Sequence, residues 1–102
     1  AFSKSADGFC PVGEYIDTEY KYNNKTIRAF QNETLIREGK FSDMIYSIND
    51  ILVFLSNWMT LYPGDLVITG APPRIRKKMH LKPRDTYKIC IQGFETLVTE
   101  FI

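Results

Sequence analysis

The strongest periodic signal lies between Ile48 and Met59. Ile48, Ile51, Leu52, Leu55, Trp58 and Met59 recur at the spacing of one helix face. Ser47 stands in front of the run and Asp50 follows three residues later, close to a capping box. A helix over 48–59 is therefore predicted. Val53 and Phe54 fall off the main face and point to a second contact surface.

Elsewhere the apolar positions form short β-rich runs. Residues 14–22 carry β-formers in loose alternation and read as a strand. Thr26 to Gln31 and Thr34 to Arg37 read as two strands joined at Asn32-Glu33, a tight hairpin whose turn favours glycine at position 33. A Pro63-Gly64 turn leads into a short apolar strand, Leu66 to Thr69. Thr86 to Ile91 and Thr96 to Ile102 read as strands about a Gln92-Gly93 turn. Residues 1–13 and 70–84 are loops punctuated by glycine and proline. The expected fold is α+β, mostly β with one helix, in a single domain over 1–102. Repeats and low-complexity segments are absent.

Composition adds little direction. Of 102 residues 44% are apolar, 14% aromatic and 25% charged, values of a globular chain. A net charge of +1 says nothing about a polyanionic partner. Arg74, Arg76, Lys77, Lys78, Lys82 and Arg84 do cluster. No stacking aromatics are interleaved among them, so the run reads as a solvated loop and not a nucleic-acid surface. Cys10 and Cys90 lack metal or redox spacing and fit a reducing, cytoplasmic setting. The longest apolar run, Ile51 to Leu55, is far short of the roughly 20 residues of a membrane span. Ala1-Phe2-Ser3-Lys4 reads as the interior of a longer chain.

Four segments in order carry a family resemblance. Lys4-Ser5-Ala6-Asp7-Gly8-Phe9-Cys10-Pro11 resembles a KSFDTFCP-type loop. Asn32 to Tyr46, ending in Met44-Ile45-Tyr46, resembles an NGE-x-x-Q-x-G-x-T-x-x-MI-F stretch. Leu61 to Pro72 is similar to L-x-PGD-x-I-x-TGTP. Leu81-Lys82-Pro83-Arg84-Asp85, followed by Ile91-Gln92-Gly93-Phe94, resembles L-K-PGD and I-x-G-F. Together they resemble the C-terminal portion of the fumarylacetoacetate hydrolase family, close to its 2-hydroxyhepta-2,4-diene-1,7-dioate isomerase and acylpyruvase types.

The resemblance implies a mixed β-roll, usually dimeric. Such enzymes cleave, decarboxylate or isomerise 2-oxo and β-dicarbonyl acids with Mg²⁺ or Mn²⁺, Ca²⁺ being a further option. The family's ion is held by a Glu-x-Glu pair and a further acid ahead of the lysine loop, and this chain offers no matching set. Glu14, Asp17 and Glu19 are its densest acidic group and read as a solvated face; His80, in the basic loop, reads as exposed. No metal site is therefore expected in the chain itself.

By the resemblance, Lys4 is the catalytic lysine, where an ammonium would stabilise a developing enolate. Thr69, Gly70 and Ala71 match the loop that contacts the substrate carboxylate, with Ala71 in place of a second threonine. Arg37 replaces a glutamine, Phe41 a threonine, Arg74 a glycine and Ala6 a phenylalanine. Arginine forms bidentate pairs with carboxylates, so Arg37 is a candidate substrate contact. Cys10 reads as a packing residue, since no base can be assigned to it.

Two functions follow as expectations. The first is part of a divalent-metal-dependent hydrolase, lyase or isomerase of 2-oxo acids or dicarboxylates, inactive as 102 residues alone and forming a homo-oligomer. The second is a non-catalytic, degenerate relative serving as a dimerisation module. Neither nucleic acid nor membrane is expected as a partner.

Overall fold

The computed structural model describes residues 5–102. In chain order it contains β1 (Thr26–Gln31), β2 (Thr34–Lys40), a single 3-10 turn (Phe41–Asp43), α1 (Ile48–Ser56), β3 (Thr86–Ile91) and β4 (Leu97–Glu100). The strands form one antiparallel sheet in the order β2-β1-β3-β4. This is the α+β, mostly β architecture with one helix.

The β1–β2 hairpin explains why its turn needs no glycine at 33. Gln31 pairs with Thr34, and the positive φ of 53° falls on Asn32. Asparagine tolerates that region better than most side chains. Glu33 stays outside it. The register then slips: Ala29 faces Arg37 while Phe30 faces Leu35, leaving Ile36 as the extra residue of a bulge. Ile36 is only 2% exposed. Beyond the bulge β2 runs three residues past its predicted end, through Glu38, Gly39 and Lys40. These are weak strand formers. Pairing with β1 carries them, helped by an Arg28–Glu38 ion pair at 2.5 Å.

Two predicted strands do not form. Residues 14–22 and 66–69 are turns and irregular backbone. β-propensity describes fit to a half-buried pleated surface, and neither segment has a strand beside it among the described residues. Ile16 is 87% and Ile68 83% exposed. β4 is also shorter than predicted: it starts one residue later than Thr96 and ends at Glu100, two residues before Ile102. Gly93, with φ at 92°, lets the Tyr20 ring approach; a Cβ there would lie 3.1 Å from it.

The helix starts where predicted. Ser47 Oγ accepts the Asp50 N–H at 3.1 Å, and Asp50 Oδ2 accepts the Ser47 N–H at 3.0 Å. It ends at Ser56, three residues early, with Trp58 and Met59 in a closing turn on the Leu55 carbonyl. Ile48, Ile51 and Leu55 are half-buried, whereas Trp58, Met59, Val53 and Phe54 face outward. Among the described residues no helix is long and apolar enough to cross a membrane.

Only Ala29 and Ile36 form a fully buried apolar centre among the described residues, beside buried Gln31. The accessible surface is 8994 Å² for 11.8 kDa. A self-contained monomer of that mass exposes about 5,900 Å². Large apolar side chains are exposed along much of the described chain, among them Val53 and Phe54 on the helix and Ile16 and Ile68 in the two segments that failed to become strands.

Two turns share one design, and the second leads directly into β3. Asp65 Oδ2 accepts the Tyr62 N–H at 2.8 Å, and the Asp65 N–H returns to the Tyr62 carbonyl at 3.1 Å. Asp85 does the same with Lys82, at 2.9 and 3.0 Å. The middle residue needs positive φ, 95° at Gly64 and 70° at Arg84. Asp85 also accepts Gln31 Nε2 and Asn32 Nδ2, both at 3.1 Å, tying the turn to the hairpin. The Lys82 N–H and then the Asn32 amide hold the Asp85 carboxyl below its ordinary value of 3.8. A depressed folded value stabilises the fold above the unfolded value and loses that contribution as pH falls through the folded one. Thermal midpoints should therefore decline from about pH 4 downward. Asp85→Asn should lie lower at neutral pH and decline less steeply in acid. An equally steep decline in the variant would remove Asp85 as the source.

Candidate functional site

A cleft of about 490 Å³ opens between the end of the β1–β2 hairpin and the loop after the Pro63-Gly64-Asp65 turn. Ile27 and Gly39 form its floor, and Phe41, Met44 and Ile51 one wall. Thr69, Gly70 and Ala71 line the other side, continued by Pro72 and Pro73. Lys40, Asp43 and Tyr46 supply further polar groups at the margin.

The loop is held by the edge of β2. Arg37 Nη1 donates to the Pro72 carbonyl at 2.5 Å. Arg37 and Arg74 meet across an isolated antiparallel bridge, and the Ile75 N–H donates to the Ile36 carbonyl at 3.0 Å. Arg76 Nε donates to the Leu35 carbonyl at 3.0 Å. Gly39 permits the close approach: a Cβ there would sit 2.9 Å from Pro72 Cβ. Gly70 has φ at 95°, a conformation that other residues rarely adopt. The amides of Gly70 and Ala71 have no hydrogen-bond acceptor among the described residues. Two free N–H donors on one wall of an otherwise largely apolar cleft suit a carboxylate.

The predicted site residues separate into three groups. Thr69, Gly70 and Ala71 are brought together. Arg37 stands outside the cleft, bonded to the backbone of the loop. Lys4 lies outside the described residues. Of the departures from the family pattern, Phe41 lines the cleft, Arg37 and Arg74 lie against each other outside it, and Ala6 is exposed. Cys10 is exposed, as is the whole segment 5–19, so the packing role is corrected. Gly39, Lys40, Asp43 and Tyr46 were not anticipated. A glycine inside a strand was the one usable signal, since it often marks close backbone approach.

The described residues do not fit a divalent ion. No three His, Cys, Asp or Glu side chains among them come together. Asp43 is the single carboxylate at the cleft, and its Oδ2 accepts the Lys40 N–H at 3.4 Å. Asp17 Oδ1 caps the Glu19 N–H at 2.9 Å, a local turn. His80 and the clustered arginines and lysines are exposed.

Comparison with known proteins adds a second line. The sequence model for the fumarylacetoacetate (FAA) hydrolase C-terminal domain matches residues 1–102. A 4-hydroxyphenylacetate degradation bifunctional isomerase/decarboxylase of Salmonella dublin is 35% identical over 97% of this chain and 23% of its own. The crystal structure of 2-hydroxyhepta-2,4-diene-1,7-dioate isomerase from Mycobacterium marinum superposes with a TM-score of 0.85 at 32% identity, over 99% of this chain and 39% of that one. Maleylpyruvate hydrolase from Sphingobium sp. SYK-6, in complex with manganese(II) ion and pyruvate, superposes with a TM-score of 0.86 at 26% identity, over 99% and 38%. The chain thus spans between about a quarter and two fifths of these relatives' lengths.

Proposed function

The chain belongs to the fumarylacetoacetate hydrolase family, and from that premise we propose that it supplies the carboxylate-binding loop and the lysine of an enzyme acting on 2-oxo or β-dicarbonyl acids. The observation that carries the reading is the pair of amides, Gly70 and Ala71, that have no acceptor among the described residues and line a cleft of about 490 Å³. They would hold the substrate carboxylate, with Thr69 beside them. Ala71 lacks a hydroxyl, so this end of the site binds through backbone donors.

Oxaloacetate serves as a test substrate. Loss of CO₂ breaks its C3–C4 bond and leaves the electron pair as the enolate of pyruvate, which takes a proton at C3. An ammonium at Lys4 would stabilise that anion and could deliver the proton. The relatives include an isomerase/decarboxylase and a hydrolase, and one was solved with manganese(II) and pyruvate. Dependence on Mg²⁺ or Mn²⁺ is part of the proposal, with the ion's ligands belonging to other parts of the polypeptide. The experiment is turnover of oxaloacetate and acylpyruvates by the complete polypeptide, with and without Mn²⁺. No turnover of any of them under either condition would reject the enzymatic reading.

The second reading, an assembly module, draws on the surface excess. About 3,000 Å² beyond the expectation for a monomer exceeds the roughly 800 Å² that each partner contributes to a standard interface. The 102-residue chain alone is therefore expected to self-associate through α1 and its closing turn, where Phe54 and Trp58 are exposed. Sedimentation should give a dimer or larger, and Trp58→Glu should shift it toward monomer. A clean monomer of the parent chain at high concentration contradicts this.

A further inference from the structure

Two departures from the family pattern, Arg37 and Arg74, are far apart in sequence and meet across a single β-bridge. β2 is the edge of the sheet, and its outer side receives the loop that leaves the cleft. Like charges directly opposite each other on a sheet repel. The Arg37 guanidinium instead turns to the Pro72 carbonyl, the residue directly after Ala71. A charged donor on a backbone carbonyl is stronger than a neutral one. The adjacent Ile36–Ile75 backbone bond and the fit of Pro72 over Gly39 complete the attachment.

We infer that Arg37 is a positioning residue: it clamps the Pro72 carbonyl and so fixes the Gly70 and Ala71 amides for a carboxylate, without touching that carboxylate itself. This rests on the reading of the loop as a carboxylate site. It also assigns specificity to an unexpected place. The substrate's acid group is recognised by amides whose position is set from the outer edge of the sheet, and a change at 37 or 74 alters recognition without altering the lining of the cleft.

The test uses the complete polypeptide with Mn²⁺, with pyruvate as the probe. Hydrogen exchange at the Ile75 amide reports on the clamp, referenced to amides of β1 and β3, and titration calorimetry reports on binding. Arg37→Met should speed Ile75 exchange about tenfold relative to the reference and weaken pyruvate binding about five- to tenfold. Arg37→Lys, which keeps a donor, should recover part of both. Gly39→Ala displaces Pro72 without touching Arg37; because Gly39 itself lines the cleft, its readout is Ile75 exchange, which should also speed and stands if Arg37→Met fails to fold. Weakened binding with Ile75 exchange unchanged would make Arg37 a direct ligand contact and overturn the inference. Faster exchange with binding unchanged, or no change in either, would overturn it too. If the parent protein binds no pyruvate, the carboxylate reading fails, and the exchange measurement alone decides whether Arg37 holds the loop.

Discussion

Ile36→Ala lowers the stability of the fold by about 2–4 kcal/mol. Ile36 is the extra residue of the β2 bulge and one of two fully buried apolar side chains among the described residues. Truncation removes its apolar contacts and leaves a cavity that paired strands collapse into poorly. The neighbouring backbone magnifies the loss. The Ile36 carbonyl accepts from Ile75 and the Leu35 carbonyl from Arg76, so a loosened bulge loosens the loop beside the cleft. Ile36→Val keeps most of the volume and should lose about 0.5–1.5 kcal/mol. Ile68→Ala, at an exposed position, is the control and should stay within about 0.5 kcal/mol of the parent. Urea denaturation of the four proteins gives the comparison. Similar losses at 36 and 68 would show that the bulge is not the centre of the fold.

The sequence announced elements whose partners are local or whose side chains alternate strongly. β1 and β3 were readable to the residue, since Thr26–Gln31 and Thr86–Ile91 are rich in β-formers bounded by turn residues. The start of α1 was readable because Ser47 and Asp50 satisfy its first amides locally. The end of β2 was not, because Glu38, Gly39 and Lys40 are strand residues only through their pairing with β1. Residues 14–22 and 66–69 erred the other way: they have the composition of strands and no strand paired with them among the described residues. The site was legible in part. Thr69-Gly70-Ala71 stood out by resemblance, and the cleft brings them together. Arg37 was noticed for its chemistry, but its bond to Pro72, a residue distant in sequence, had no sequence signature. Gly64 and Arg84 illustrate the same limit: only the backbone shows that both occupy the positive-φ position of one turn design, and why glycine is the easier occupant.

Lys4→Met should cut kcat of the complete polypeptide roughly 10²–10³-fold. The argument is electrostatic. Carbon–carbon cleavage or proton abstraction in a 2-oxo acid builds negative charge as an enolate, and the carboxylate that we propose Gly70 and Ala71 hold is already negative. A fixed ammonium beside the forming anion contributes about 2–4 kcal/mol in the transition state, by analogy with other preorganised donors. Methionine keeps a similar stem and removes the charge, and Lys4 belongs to no apolar pattern, so thermal midpoints should stay close to the parent. Lys78→Met, in the exposed basic loop, should be nearly silent. The most direct measurement is steady-state turnover of oxaloacetate and acylpyruvates by the parent, Lys4→Met and Lys78→Met proteins with Mn²⁺, with melting temperatures alongside. The account predicts a loss of roughly two to three orders of magnitude in kcat for Lys4→Met alone, at unchanged stability. Equal turnover by Lys4→Met and the parent at equal stability would contradict it.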